Sequence, residues 1–484
     1  MKQRINSIIR RFTAFTAAFF IAAGFFSHTC FYICARAEAW PYPGGEITAE
    51  SAVVMDADTG AVLWGRNQDV QFYPASITKI MTALVVLENC ELNEKVPITA
   101  NAVYGLESGA TNVALSVDDI LTVEDLLNAL LLRSANDAAN ALAIYVGGSV
   151  SGFAEMMNEK AAELGCENTD FRNPSGLTDD EHMTTAYDMA LIMRACVNNQ
   201  DFLDIEANDK YKLSPTKRYP GGLTVSMEHK MMIDGTGYTD DRVIAGKTGF
   251  ITASGNTLVT CAKQDGRRVI AVVLKDRTPY HYTDTEKLLD FGFSQFENLT
   301  IDDPVERFDS VQRLVADKIC TGQSSDNIVA YGDAVVTVPK GSGTDAVSVR
   351  YEYNLKEDAP DRSVTLLKFY MEDRNVGSVY LLNDSESTVG IASLEPDTAA
   401  KAAVGLSIVV AVAAGAALVL TGGLKAKAVK DEKLRRQRFI EKRNQRLKSM
   451  GMSVEEFEQF KNDSRMKSRQ RRNERSGSHK RKNI

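Results

Sequence analysis

Between residues 47 and 295 the spacing of apolar positions changes repeatedly between the period of a strand and that of a helix. Short apolar runs flanked by turn residues predict strands at 51–55, 61–64, 243–246, 257–262 and 269–274. Apolar residues that recur every three or four positions predict helices at 77–87 and 123–132. Thr122 and Asp125 form a capping-box pattern before the second helix, and the sequence at 264–266 favours a hairpin between the last two strands.

Residues 300–395 have a different pattern, in which short alternating runs are separated by turns. Strands are predicted there at 334–338, 347–353 and 364–370. The sequence therefore predicts a domain of helices and strands at 45–295, followed by a small β-rich domain at 300–395.

Residues 402–424 form a stretch of 23 positions without a charge. A bilayer requires ~20 apolar residues, and the alternative, a buried core helix, would normally be shorter. A block of Lys and Arg follows at 425–438, so the positive-inside rule predicts a cytoplasmic C-terminus.

The first 37 residues have the three regions of a secretory signal peptide. Positive charges precede the apolar run at 12–26, and Ala35-Arg36-Ala37 is a small-x-small cleavage site, with Ala37-Glu38-Ala39 as a second option. A membrane anchor that is never cut is the alternative. We expect a single-pass protein of the cell membrane with an extracytoplasmic body and a basic cytoplasmic tail at 425–484.

Composition and charge agree with this topology. The chain has 484 residues, of which 44% are hydrophobic, so it can bury a large core. Residues 40–400 hold 29 Lys and Arg against 55 Asp and Glu, whereas the tail holds 21 against 8. An acidic body is a poor candidate for nucleic-acid binding, because contacts to phosphate groups need clustered cations. The tail fits a stop-transfer block that meets anionic lipid, and nothing in the sequence names a partner for it.

The cysteines and histidines of the body do not have the spacing of a metal site. No CxxC or HExxH occurs among Cys90, Cys166, Cys196, Cys261, Cys320, His182, His229 and His281. The sequence therefore predicts buried free thiols, and neither a metal nor a cofactor is expected.

Ser76-Ile77-Thr78-Lys79 matches the pattern SxxK at the start of the helix predicted at 77–87. A separation of three places Lys79 on the same helix face as Ser76, where a partly desolvated lysine can take the proton of a hydroxyl. Two other segments match SxxK but lie in sequence contexts that do not favour a catalytic motif. Ser214 begins a segment with no helical pattern, and Ser464 lies in the predicted tail.

Two further motifs follow in a required order. Ser134-Ala135-Asn136 matches SxN after the helix at 123–132, and Lys247-Thr248-Gly249 is the one KTG in the chain. Other SxN matches begin at Ser254 and Ser325, but Ser134 alone lies between the other two motifs. The order SxxK, SxN, KTG is that of penicillin-recognising serine hydrolases.

The sequence around these motifs resembles the low-molecular-mass penicillin-binding proteins, the serine-type D-alanyl-D-alanine carboxypeptidases. The resemblance is carried by SAVVMDADTGAVLWGRN (51–67), FYPASITKIMTAL (72–84), LTVEDLLNALLLRSANDAANALA (121–143), NPSGLTDDEHMTTAYDMA (173–190) and AGKTGFITASGNTLVTCA (245–262). It implies an α+β catalytic domain of the serine β-lactamase/transpeptidase type, with an antiparallel sheet packed with helices, followed by a small β domain.

The resemblance also implies roles for the motif residues. Ser76 is the nucleophile that becomes acylated and Lys79 is its general base. Ser134 and Asn136 relay the proton and hold the substrate amide.

On the substrate-binding side, the resemblance implies that Lys247 and Thr248 approach the substrate carboxylate. The oxyanion hole uses the backbone N–H groups of Ser76 and of Phe250, the residue after Gly249.

One position departs from the family pattern. The family usually has an arginine that supports carboxylate binding where this chain has His281, and Arg277 lies four residues upstream as a substitute.

Three other functions remain open. A β-lactamase needs a deacylating Glu after SxN, whereas the matching segment here, Glu124–Asn128, precedes Ser134 and fits charge in a first helical turn. A peptidoglycan endopeptidase carries the same motifs, and an inactive peptidoglycan-binding module is the alternative without chemistry. The sequence favours a cell-wall carboxypeptidase that removes the terminal D-alanine from peptidoglycan stem peptides and binds β-lactam antibiotics covalently at Ser76.

Overall fold

The computed structural model describes residues 40–107, 109–314, 328–353, 355 and 359–383. All of these residues belong to one compact unit, Met1–Gly390. The strands are β1 (Ser51–Asp56), β2 (Val62–Arg66), β3 (Lys95–Pro97), β4 (Ile120–Thr122), β5 (Lys210–Lys212), β6 (Thr224–Ser226), β7 (Val243–Ile251), β8 (Gly255–Gln264), β9 (Arg267–Asp276), β10 (Phe296–Thr300), β11 (Ile328–Ala330), β12 (Val335–Pro339), β13 (Val347–Glu352), β14 (Ser363–Met371) and β15 (Arg374–Asn383). The helices are α1 (Thr78–Asn89), α2 (Ala100–Val103), α3 (Val123–Leu132), α4 (Asn136–Gly147), α5 (Val150–Leu164), α6 (Ala186–Cys196), α7 (Gln200–Glu206), α8 (Tyr280–Gln295), α9 (Pro304–Arg307) and α10 (Asp309–Leu314).

The centre of the fold is a five-stranded antiparallel sheet with the strand order β2-β1-β9-β8-β7. Neighbouring residues of a strand point to opposite faces, and both faces of β1 are buried. Val53 and Met55 pack into one apolar cluster with residues of α1, α3, α4 and α6, while Ala52 and Val54 pack into a second cluster with residues of α8. The sheet therefore lies between two helical layers, as the predicted α+β fold requires.

Helix α3 begins at the predicted capping box. The Thr122 hydroxyl accepts a hydrogen bond from Asp125 N, and the Asp125 carboxylate accepts one from Thr122 N, each at 3.0 Å. These bonds satisfy backbone groups that the first helical turn leaves free. The start of α3 is thus fixed by sequence, and its ten residues carry the chain to the SxN motif at 134–136.

The C-terminal part is rich in strands, as predicted. It contains a four-stranded antiparallel sheet in the order β11-β15-β14-β13 and the pair β10–β12. The predicted strands agree with β12, β13 and β14 to within one residue at each end, whereas the pattern did not predict the short helices α9 and α10. The Thr59 and Thr337 hydroxyls lie 2.6 Å apart and join β12 to the turn after β1.

Several predictions concern residues outside the described ones. The signal peptide at 1–37, the membrane span at 402–424, the tail at 425–484 and Cys320 all stay predictions. Within residues 40–383, as far as the structure describes them, no helix is long and apolar enough to cross a membrane. Among the same residues, Cys90, Cys196 and Cys261 are free thiols.

A buried ion pair closes one end of the central sheet. Arg267 Nε donates to Asp56 Oδ2 at 2.7 Å, and the Asp56 side chain is fully buried. The other carboxylate oxygen accepts from the backbone N–H groups of Asp58 and Thr59. Asp56 therefore fixes both the guanidinium and the turn between β1 and β2.

Replacing Asp56→Asn should lower the free energy of unfolding by about 3–5 kcal/mol, because it leaves the buried guanidinium without its counter-charge. Asp58→Asn is the matched control, since it removes an ion pair to Arg268 that is partly open to solvent, and should cost about 1 kcal/mol or less. Urea unfolding of the purified variants measures both values. Equal losses would contradict the dominant role of the buried pair.

Candidate active site

Ser76 lies in a tight turn at the start of α1. The residue before it, Ala75, has a φ of +53°, a left-handed value that alanine rarely adopts. Thr257 Oγ1 donates to the Pro74 carbonyl at 2.8 Å. Gly176 lies so close that a Cβ on it would be 1.8 Å from the Ala75 carbonyl oxygen. Packing from two sides therefore maintains the strained backbone that carries the Ser76 hydroxyl.

Lys79 is fully buried one helical turn after Ser76. Its Nζ donates to Ser76 Oγ at 3.0 Å, to Asn136 Oδ1 at 2.8 Å and to the Ser175 carbonyl at 2.6 Å. All three acceptors are uncharged, so no carboxylate accepts a hydrogen bond from the amine within the described residues. The structure brings SxxK and SxN together at this one nitrogen.

The surroundings of Lys79 favour its neutral form. Burial lowers the pKa of Lys79 well below its usual value, and the positive charge of Lys247 lowers it further, against an opposing effect of Glu228. A neutral amine within hydrogen-bond distance of a serine hydroxyl can accept its proton. The geometry and the charge of the site thus agree with a base at Lys79.

The two polar residues of the SxN motif occupy the connection between α3 and α4. Asn136 is the first residue of α4, and its Nδ2 donates to the Thr111 carbonyl at 2.8 Å while its Oδ1 faces Lys79. Ser134 has a φ of +57° and a buried side chain. Among the described residues Ser134 Oγ has no hydrogen-bond partner, so its predicted relay role stays a prediction.

The KTG motif lies on β7, at the edge of the central sheet. A Cβ on Gly249 would be 2.4 Å from Thr257 Oγ1 and 2.9 Å from Ser76 N. Only glycine therefore allows the strand to come this close to the turn that carries Ser76, the predicted nucleophile.

The direction of the backbone N–H groups on β7 can be read from one bond. Gly246 N donates to Glu206 Oε2 at 3.1 Å, away from β8. In an antiparallel pair alternate residues point their N–H groups the same way, so those of Thr248 and Phe250 also point out of the sheet edge. An outward N–H at Phe250, next to the glycine that abuts Ser76, agrees with the expected oxyanion hole.

Lys247 is buried, and two carboxylates affect its pKa. Its Nζ donates to the Thr248 carbonyl at 3.1 Å, and 2% of its surface is exposed. Burial lowers the pKa of Lys247, while the carboxylates of Glu228 and Glu206 raise it. Glu228 also forms an ion pair with Arg133, the residue before the SxN motif. Glu228 thus links the two sides of the site and acts on both lysines.

His281 and Arg277 lie at the start of α8 or just before it, and neither contacts the KTG residues in the part of the chain that the structure describes. The His281 ring lies 4.0 Å from that of Tyr282, with its Nδ1 buried and unbonded. Burial lowers the pKa of His281, and the nearby Lys230 lowers it further. Arg277 is exposed and lies over the Tyr280 ring. The predicted carboxylate role of His281 therefore stays a prediction.

Several residues that support the site were not assigned roles from the sequence. Ser175 and Gly176 belong to a stretch quoted for its resemblance, yet the pattern gave no sign that they contact Lys79 and Ala75. His182 Nε2 lies 2.9 Å from Thr78 Oγ1 while its Nδ1 accepts from Arg172 N, and burial lowers its pKa to about 4. Glu206 and Glu228 come from distant segments, and no motif marks either one.

The segment that resembles a β-lactamase motif has a structural role. Asn128 Nδ2 donates to the Glu124 carbonyl, and Asn128 Oδ1 accepts from Asn208 Nδ2 at 3.0 Å. Glu124 occupies the first turn of α3. The segment links two parts of the helical layer, as expected for first-turn charge, and does not provide a deacylating carboxylate beside Ser76.

Comparison with known proteins agrees with the geometry. The D-alanyl-D-alanine carboxypeptidase family, peptidase family S11, matches residues 36–278. The chain is 34% identical to the D-alanyl-D-alanine carboxypeptidase DacF of Bacillus subtilis, over 51% of this chain and 63% of that protein. It is 30% identical to DacC of Escherichia coli, over 69% of this chain and 80% of that protein. The crystal structure of penicillin binding protein 5 from Haemophilus influenzae superposes with a TM-score of 0.55 at 26% identity, over 71% of this chain and 98% of that one.

The position of Lys79 leads to a test of the base. Lys79→Arg keeps a cation that is not deprotonated in proteins, so acylation of Ser76 by penicillin should fall by about 10²–10⁴-fold. In the wild type, acylation should decrease as the pH falls through the lowered pKa of Lys79, because protonation removes the base. Stopped-flow acylation measures both effects.

Lys217→Arg is the matched control, since Lys217 closes the second SxxK match and bonds the Val117 carbonyl at the surface. Its acylation rate should equal that of the wild type. A loss of less than tenfold in Lys79→Arg would point to another base.

Proposed function

The chain belongs to the D-alanyl-D-alanine carboxypeptidase family, and from this membership we propose that it removes the terminal D-alanine from peptidoglycan stem peptides through an acyl-enzyme at Ser76. The observation that carries the proposal is the 3.0 Å hydrogen bond between Lys79 Nζ and Ser76 Oγ inside a buried set of uncharged acceptors. It supplies a nucleophile and a base in contact.

In the proposed acylation, Ser76 Oγ attacks the carbonyl carbon between the two D-alanines while its proton passes to Lys79 Nζ. The negative charge that develops on the carbonyl oxygen is stabilised by the N–H groups of Ser76 and Phe250. The bond to the terminal D-alanine then breaks, and its nitrogen takes a proton from Lys79, directly or through Ser134. A water molecule, deprotonated by the same lysine, hydrolyses the ester and restores Ser76.

The strand β7 is proposed to select the free carboxylate of the substrate. Lys247 supplies the positive charge and Thr248 the hydroxyl, next to the N–H groups of the oxyanion hole. Arg277 is exposed and charged, whereas His281 is buried and its lowered pKa leaves it neutral at neutral pH. We therefore propose Arg277, rather than His281, as the further cation for the carboxylate.

We propose that β-lactam antibiotics acylate the same hydroxyl. Relatives of this chain carry penicillin-binding names, and a β-lactam presents a strained amide together with a carboxylate. A long-lived adduct is expected, because in the part of the chain that the structure describes no carboxylate is hydrogen-bonded to the Lys79 amine to assist rapid hydrolysis.

We propose further that the catalytic part works outside the cytoplasm and is held at the membrane by residues 402–424. The support is the uncharged stretch, the basic residues that follow it and the signal-like N-terminus. Such an anchor would keep the enzyme beside its peptidoglycan substrate.

The Ser76→Ala variant tests the proposed reaction. It should lose both the covalent penicillin adduct, seen by mass spectrometry of the intact protein, and the release of D-alanine from a stem pentapeptide, because it removes the hydroxyl that is hydrogen-bonded to Lys79. Ser214→Ala, at the second SxxK match, should keep both. An adduct that persists in Ser76→Ala or maps to Ser134 would overturn the assignment. Cleavage of cross-linked peptides in preference to pentapeptides would favour the endopeptidase, and rapid turnover of penicillin would favour the β-lactamase.

A truncation tests the proposed anchor. A chain ending at residue 395 should appear in the soluble extracytoplasmic fraction of the producing cells, while the full chain should stay with the membrane fraction. The truncated protein should still react with penicillin, since the described active site lies within residues 40–383. Equal release of both forms would contradict anchoring by residues 402–424.

A further inference from the structure

Glu206 is a buried carboxyl group behind the strand that carries KTG. It is the last residue of α7, and 1% of its surface is exposed. Its Oε2 accepts the hydrogen bond from Gly246 N at 3.1 Å, and its Oε1 is buried without a partner. Burying an incompletely bonded carboxyl group is costly, and this cost points to a functional role for Glu206.

The hydrogen bond to Gly246 meets a specific need of the fold. β7 is an edge strand, and its outward N–H groups have no neighbouring strand to bond. The N–H groups of Gly246, Thr248 and Phe250 form one outward row. Glu206 binds the first of them, while the last is the expected oxyanion donor, so the carboxyl group fixes the strand two residues before Thr248.

Glu206 also acts on the charge of Lys247. Burial raises the pKa of Glu206 to about 7, and the bond from Gly246 and the cation of Lys247 oppose that rise. From the other side, the pKa of Lys247 is lowered by burial and raised by Glu228 and Glu206. The charge of Glu206 also raises the pKa of the buried thiol of Cys196, at the end of α6.

The other titratable groups near Glu206 and Lys247 act on different residues. Glu228 faces both Lys79 and Lys247, and Lys247 in turn lowers the pKa of Lys79. His229 Nε2 pairs with the Thr260 hydroxyl, and burial lowers its pKa to about 3, so His229 is neutral. Of the two carboxylates that raise the pKa of Lys247, Glu228 also raises that of Lys79, whereas Glu206 acts on Lys247 alone of the two lysines.

We propose that Glu206 is a positioning residue for the carboxylate-binding end of the active site: it fixes the edge strand through Gly246 and keeps Lys247 in its cationic form. The proposal rests on the proposed role of Lys247 toward the carboxylate of the substrate or of a β-lactam. Without the Glu206 charge, the pKa of Lys247 falls, and its cation is lost at a lower pH. Recognition of carboxylates then fails at a lower pH, while Ser76 and Lys79 keep their hydrogen bond.

The test compares benzylpenicillin, which has a carboxylate, with its methyl ester, which does not. In the full chain, the second-order rate of Ser76 acylation by each compound is measured from pH 6 to pH 10. Glu206→Gln preserves an oxygen that accepts from Gly246 N but removes the charge. Its rate with benzylpenicillin should begin to fall on the alkaline side at a pH lower by about one unit than in the wild type. Its rate with the ester should match the wild type throughout.

Three further variants complete the comparison. Asp204→Asn removes an exposed carboxylate from the same helix and should change neither profile, because solvent screens that charge. Glu228→Gln should alter both the acid and the alkaline side of the pH–rate profile, since Glu228 acts on both lysines. Glu206→Ala removes the bond to Gly246 as well, so it should slow acylation by both compounds.

The outcomes separate this proposal from the proposed function. The role of Glu206 would be overturned if the alkaline side of the pH–rate profile were unchanged in Glu206→Gln. It would also be overturned if that side shifted equally for benzylpenicillin and its methyl ester. In Glu206→Gln, a uniform loss at every pH with both compounds would also overturn it, because that result marks a merely structural residue. If the wild type reacts with penicillin at Ser76 but releases no D-alanine from pentapeptide, the proposed carboxypeptidase activity fails while the Glu206 comparison can still be read.

Discussion

The burial of one lysine amine among three uncharged oxygens is the constraint on which the site depends. Lys79 Nζ holds Ser76, Asn136 and the Ser175 carbonyl at hydrogen-bond distance, so a single atom joins three separate segments of the chain. Because none of these acceptors is ionised, the site does not stabilise a cation by direct pairing. The same burial that accompanies the assembly of the site lowers the pKa of Lys79 and favours the neutral base.

The edge of the central sheet supplies the second half of the site. Gly249 allows β7 to touch the nucleophile turn, and the outward row of N–H groups ends at Phe250. An edge strand normally exposes such donors to unwanted pairing. Here the row is used instead, with Glu206 bound at one end and the expected oxyanion position at the other. The two lysines of the site differ accordingly: the three hydrogen-bond acceptors of Lys79 are uncharged, whereas two carboxylates raise the pKa of Lys247.

Local sequence signals predicted the elements and the motif residues. The helical spacing and the Thr122 capping box set α1 and α3, and the order of three motifs selected Ser76, Lys79, Ser134 and Lys247 from several matches. The structure brings SxxK and SxN into direct contact and places Gly249 of KTG against the nucleophile turn. The helices could be predicted because their signals lie within a few residues of each other. The motif residues could be predicted because the resemblance preserves the order of the motifs along the chain.

The remaining parts of the site depend on contacts between distant segments. Gly176 against Ala75, Thr257 on Pro74 and Glu206 on Gly246 join residues 40 to 183 positions apart, and no periodicity marks such pairs. The charge state of His281 could not be predicted either, because its lowered pKa comes from burial in the folded chain. Tertiary packing decides these features.

The most direct test of the account is the titration of Lys79 itself. Lysines labelled with ¹³C at Cε report the charge of each amine by NMR, and comparison with Lys79→Arg identifies the resonance of interest. We expect the Lys79 resonance to titrate well below the usual lysine pKa in the free enzyme, because burial and the Lys247 cation lower that pKa. A resonance that remains that of a charged amine up to pH ~10 would contradict it, because Ser76 would then have no neutral base in contact.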